Sequence, residues 1–179
     1  MATSIYRESS AEASGLVTQG VIFIHSAPAV LLRHVEWAIR RALTYSVSIQ
    51  WTSQPVEAST FRAEIFWSGP VGTGAIVSSE LRGWNQLRFE VTEEPSFSNE
   101  GSRWSFTPTL GLFHSQTDSL GNLQISEFLI NQAIAHSGAN ASLLMQNLQS
   151  ILGSAWDLEL EDYRSAGMSA PSVWINQVG

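Results

Sequence analysis

His25, Glu90 and His114 are the residues whose types could do acid–base chemistry if the fold gathers them at one end of a sheet. An imidazole and a carboxylate within reach of one substrate position supply a general acid and a general base. His25 closes a short apolar run, and strand ends in α/β sheets carry ligand sites. Ser26 beside it does not complete a nucleophile–base pair, because adjacent strand residues point to opposite faces. The plainer reading of His25 is a histidine that holds a loop by a hydrogen bond. Neither His114 nor His136 has a second metal ligand at a recognisable spacing, so no metal site is expected.

A different chemistry is offered by Arg33, Trp37, Arg40 and Arg41, which share one side of a helix with His34. Guanidinium forks bind carboxylates or phosphates, and an indole adds desolvated area. They are the candidate contact residues for an acidic protein partner or a phosphorylated ligand. The competing reading has Arg40 and Arg41 paired with local acids such as Glu36, and Trp37 packed under a loop.

Three further patterns have weaker signals. The loop Gly69-Pro70-Val71-Gly72-Thr73-Gly74 leads from a strand into a helix, whose N-terminal N–H groups could hold an anion. Its spacing is neither the dinucleotide fingerprint nor a Walker loop, and the plain alternative is a tight connection with Thr73 as the helix cap. Glu93 and Glu94 would need facing side chains for acid–base work, and neighbours at a strand end are expected to diverge into solvent. Asp157, Glu159, Glu161 and Asp162 read as a solvated helix face, with a docking site for a basic partner as the lesser option.

Composition removes whole classes of chemistry. There are no cysteines, so disulfides, thiolate nucleophiles and cysteine-held metals are impossible. All nine basic residues are arginine, which removes Schiff-base chemistry and the P-loop lysine. No cofactor is expected. A formal net charge of −7 disfavours nucleic acid and anionic membranes as partners. No apolar run approaches the ~20 residues of a membrane span. Together with the missing cysteines and the lack of a secretory pattern at the start, this predicts a cytoplasmic protein. Seven tryptophans are many, and most fall at core positions of the patterns below.

The elements that must position these residues follow from periodicity. Residues 1–18 read as a disordered tail and 19–179 as one domain. Gly20–His25 is a central strand, and Ser26 with Pro28 predicts a helix start. Leu31, Val35, Ala38, Ile39 and Ala42 form the buried stripe of that helix. Strands are expected at Val47–Thr52, Phe61–Trp67 and Leu87–Thr92, with a helix from Ala75 to about Trp84. The order β-α-β-β-α-β over 19–95 predicts a ferredoxin-like antiparallel α+β sheet. Val47, Ile49, Trp51, Phe61, Ile65, Trp67, Leu87, Phe89 and Val91 are placed on its helix side. Arg62, Glu64, Arg88, Glu90, Ile22 and Ile24 are placed on the other. Residues 96–179 extend the sheet by a hairpin, Arg103–Thr107 with Leu110–Ser115, and add helices over Ser126–Ala135 and Ser142–Arg164, the latter bent at Gly153. Val173–Val178 reads as a last strand.

Several segments together resemble a known family. They are Gly20–Pro28, His34–Ala38, Leu81–Trp84, Leu87–Pro95, Leu110–His114, Ala155–Asp157 and Trp174–Val178. The set is similar to the actinobacterial domain-of-unknown-function family 3145, from about Gly20 to the C-terminus. The resemblance implies a cytoplasmic protein of high-GC bacteria and brings no catalytic residues with it. The sequence thus favours a non-catalytic interaction or regulatory module. The alternative is a small enzyme, or an anion- or phosphate-binding protein, using histidine and carboxylate groups at one end of the sheet.

Overall fold

The computed structural model describes residues 17–97 and 99–166. The expected tail, apart from Val17 and Thr18, and the expected strand Val173–Val178 lie outside the described residues. Among the described residues the fold is mixed α/β, with seven strands in one antiparallel sheet and five α-helices. The strands are β1 (Val17–Pro28), β2 (Thr52–Ser53), β3 (Thr60–Pro70), β4 (Arg88–Glu93), β5 (Gly101–Thr107), β6 (Gly111–Thr117) and β7 (Leu123–Gln124). They lie in the order β2-β3-β1-β4-β5-β6-β7, which is not the simple four-stranded ferredoxin arrangement.

The first helix, α1 (Leu32–Leu43), buries Val35, Ala38, Ile39 and Ala42 of the expected stripe and Leu43 besides, while Leu31 stands before the helix and is partly buried. The second, α2 (Thr73–Leu81), buries Val77 and Leu81 beside it. Both pack on one sheet face, against Ile65, Trp67, Phe89, Val91, Trp104 and Phe106. Trp67 is 3% exposed and its neighbour Phe66 is 72% exposed, so the period-2 reading of β3 assigns its faces correctly.

Ile22 and Ile24 are a correction. The ladder sets Ile22 opposite Ile65 on one side and Val91 on the other. Residues directly opposite share a face, so both isoleucines enter the α1–α2 core. Phe23 and His25 face the other way. On that second face β1 runs between β3 and β4 and separates Arg62 and Glu64 from Arg88 and Glu90.

Local chemistry explains the other differences. No helix starts at Ser26, because β1 continues to Pro28 through an irregularity between Ile24 and Ala27, and the Ser26 hydroxyl donates to Glu57. A 3-10 turn, Ala29–Leu31, then leads into α1. Val47, Ile49 and Trp51 alternate toward the core, but only Thr52 and Ser53 pair with β3.

Three C-terminal helices follow, α3 (Glu127–Ser137), α4 (Ala141–Ile151) and α5 (Ser154–Ser165); α5 lies on the second sheet face, against β1 and β5, and α4 packs on α5 and α3 on α4. Ser126 and Asn140 cap the first two, each accepting from an N–H three residues on. The single helix expected over Ser142–Arg164 is instead α4 and α5, broken at Gly153, whose φ of 72° ends one helix and opens the next.

Candidate functional site

Glu90 is the centre of a buried polar cluster on the α5 side of the sheet, and it is 6% exposed. Strand pairing sets its flanks, with Phe23 of β1 opposite it on one side and Ser105 of β5 on the other. The His25 ring meets Glu90 Oε2 at 2.8 Å, and Ser105 Oγ donates to Oε1 at 3.0 Å. Arg164 of α5 donates Nε to Oε2 at 2.9 Å and Nη2 to Oε1 at 2.6 Å. Such a two-point fork is the strongest form of this pairing.

Burial pushes the Glu90 carboxyl up, but the hydrogen bonds from His25 and Arg164 and their charge outweigh it and hold the carboxyl well below the ordinary carboxylate range. Burial likewise works against the Arg164 charge, and Glu90 and Asp157 more than reverse it. The carboxylate therefore accepts four hydrogen bonds, about as many as its lone pairs allow. It has no acceptor site left for a substrate proton.

The cluster continues on both sides. Asp157 Oδ1 accepts from Arg164 at 3.0 Å and from Arg103 at 3.1 Å. Glu57 accepts from Ser26 and Arg88 at 2.7 and 3.0 Å, and Arg88 lies over the Tyr163 ring at 4.6 Å. Glu159 accepts from Thr107 and Thr109. The acidic run is thus a correction in part. Asp157 and Glu159 turn inward onto arginines and threonines of the sheet, while Asp162 stays exposed.

His114 is not part of this cluster. It pairs across the ladder with Trp104, which pairs with Val91, and that row faces α2. Its ring stacks on Trp104 with centroids 4.8 Å apart, and burial lowers its pKa. Of the three groups expected to converge, His25 and Glu90 meet and His114 lies on the opposite face. An open cleft of about 180 Å³ beside His25 is lined by Phe23, Gln50, Thr52, Arg62 and Glu64. A larger groove of about 450 Å³ touches none of the three.

The glycine loop does hold an anion, and that anion is the chain's own. Glu93 accepts from Gly72 N and Gly74 N at 2.7 Å each, one bond to each carboxylate oxygen. It is buried, contrary to the solvent-facing expectation, whereas Glu94 is exposed and accepts from Gln19. The helix N-terminus that could hold an outside anion is therefore filled by Glu93. Thr73 does not cap α2. Its hydroxyl donates to Pro70 O at 2.6 Å, and Gly72 takes the cap position with φ 92°. A carboxylate on an antiparallel strand end beside a helix start was the available signal, but only the sheet order brings the two together.

On the opposite side, Arg33, Trp37, Arg40 and Arg41 are all exposed, and Trp37 keeps 58% of its surface, so no loop covers it. Arg41 stacks over the Trp37 ring at 5.1 Å and reaches Glu80 of α2 at 2.8 Å. Arg40 lies 3.8 Å from Glu36. Arg33 makes no ion pair among the described residues. His34 meets the edge of Trp84.

Among the described residues, no three His, Asp or Glu side chains group so as to hold a metal ion, and no helix is long and apolar enough to cross a membrane. No curated protein and no solved structure matches the chain. The sequence pattern of the family described as protein of unknown function (DUF3145) matches residues 21–177, nearly the whole chain, and the chain belongs to that family.

Proposed function

We propose that the protein is a non-catalytic interaction module of the cytoplasm, with the solvent side of α1 as its contact surface and an acidic protein as its partner. The observation that carries this reading is the Arg41 guanidinium stacked on an exposed Trp37, one turn from an unpaired Arg33, on a chain of net charge −7. Trp and Arg are the residues most often found as interface anchors. The pairs Arg40–Glu36 and Arg41–Glu80 do not close the surface. Exposed ion pairs contribute only about 0–1 kcal/mol, so a partner carboxylate can replace Glu36 or Glu80 at little cost.

The scaffold we read beneath it is a ferredoxin-like unit, β2-β3-β1-β4 with α1 and α2 on one face, to which β5–β7 add an extension. The support is the strand order of those four and the side on which both helices pack. A catalytic reading has one observation in its favour, the contact of His25 with Glu90. It requires the Arg164 fork to leave, and breaking a buried ion pair costs about 3–5 kcal/mol.

The test uses a hexaglutamate peptide as the probe, titrated at low salt by calorimetry. The Arg33→Ala/Arg40→Ala variant should bind it about tenfold more weakly, a loss near 1.4 kcal/mol, with an unchanged melting curve. Arg82→Ala, which alters an exposed arginine at the end of α2, should bind as the parent does. No binding by the parent chain, or equal losses in both variants, defeats the reading.

A further inference from the structure

We propose that the α3–α4 hairpin is the surface through which two copies of this chain associate. From Phe128 to Trp156 there is no Asp, Glu, Lys or Arg, the longest such stretch in the sequence. These residues nevertheless form surface helices. The first, α3, buries only Ala133 and Ser137, and α4 buries no residue fully. A helix on a protein surface ordinarily carries charged groups on its outer side. Here the outer side carries Phe128, 70% exposed, Ile134, 50% exposed, and Met145, 63% exposed. Ile130 stands one turn before Ile134 and is also exposed, so the two make a stripe. The polar residues between them, Asn131, Gln132, Gln146 and Gln149, are all neutral.

Charge decides the occupant. Two copies that each carry −7 repel wherever acids face one another. A helical hairpin whose one carboxylate is Glu127, at its first residue, is a place where they meet with little of that cost. A twofold interface sets the same patch against itself, so neutrality and apolarity on one side guarantee both on the other. Beyond Glu127, a strongly acidic or basic partner finds no Asp, Glu, Lys or Arg here to pair with. A membrane-surface helix carries Lys or Arg on its polar face, and this hairpin has neither.

The association is independent of the α1 reading. The α1 helix packs on one sheet face, and α4 reaches the molecule through α5 on the other. A dimer built through α3–α4 therefore keeps both α1 surfaces open. Salt separates the two. Screening relieves repulsion between two acidic chains, so added salt should strengthen self-association, whereas it should weaken binding of hexaglutamate to α1.

Sedimentation equilibrium of the full chain over a concentration series tests the proposal. A reversible monomer–dimer equilibrium is expected. Ile134→Glu should weaken it by about tenfold or more, because the charge must be desolvated or left to repel its copy, and far-UV circular dichroism should be unchanged. Should Ile134→Glu disturb the fold, Met145→Glu takes its place. Val30→Glu, on an exposed apolar residue in the 3-10 turn before α1, should leave the equilibrium as it is. A monomer at every concentration overturns the proposal, whatever else then covers the hairpin. So does a dimer that Ile134→Glu and Met145→Glu leave intact, or one that Val30→Glu weakens equally.

Discussion

Glu90 and Arg164 are 74 positions apart and form a buried ion pair on the α5 side of the sheet. Both partners have lost their water, so the pair matters most when it is broken. Glu90→Gln keeps the shape and leaves Arg164 without its counter-charge. It should cost about 3–5 kcal/mol in urea denaturation at neutral pH; a cost under about 1 kcal/mol would mean that this fork does not hold α5 on the sheet. The pH dependence has a definite sign. The folded carboxyl ionises below its unfolded value of 4.5, so its contribution is complete above that value and is lost as pH falls toward the folded pKa. The parent chain should therefore lose urea resistance steeply below about pH 4.5, and Glu90→Gln less steeply. Matching slopes for the two would remove Glu90 from the acid response. The sequence places Glu90 on the correct face, but nothing near it in sequence points to Arg164.

Two glycines show how one element end differs from another. Gly72 opens α2 with φ 92° and has open space where a Cβ would stand. Gly72→Ala should cost only the left-handed backbone penalty, about 1–2 kcal/mol. Gly153 separates α4 from α5 with φ 72°, and a Cβ there would lie 2.5 Å from the Phe113 ring. That ring packs on Trp156, which restricts its retreat. Gly153→Ala should therefore cost the same penalty plus about 1–3 kcal/mol of overpacking. Urea midpoints of the two variants check this, and equal losses would show that Phe113 yields freely. The bend at Gly153 is legible in the sequence, because glycine interrupts a helical pattern. That it becomes a full break, with Gly153 at φ 72° and the Phe113 ring of β6 against it, is a matter of the tertiary structure.

The division at residue 95 does not divide the molecule. Strand β5 pairs with β4, and its Trp104 and Phe106 enter the same core as Val35 and Ile39 of α1. Arg164 fastens the last helix to the fourth strand. Unfolding should therefore be a single transition, with far-UV circular dichroism and tryptophan fluorescence coincident along a urea series. Two separated transitions would show that the residues before and after 95 fold independently.

Periodicity and composition by themselves determined the buried stripe of α1, the faces of β3 and β4, the β5–β6 hairpin and the cap at Ser126. They also excluded thiol and lysine chemistry. Each of these depends on residues two to four apart, or on counts, and needs no partner from elsewhere in the chain. The strand order, the inward turn of Ile22 and Ile24, the division of His114 from His25 and Glu90, and the seating of Glu93 on the α2 N-terminus were decided by the tertiary structure. All four are pairings between distant segments. A ladder shifted by one residue would turn each of those side chains to the opposite face, and local pattern does not distinguish one register from its neighbour. The arginines of the sheet followed the same rule. Arg103 found its acid on α5, and Arg88 found Glu57 before β3 and, at 3.6 Å, Glu159 of α5, because burying a guanidinium requires a counter-charge from whichever element covers it.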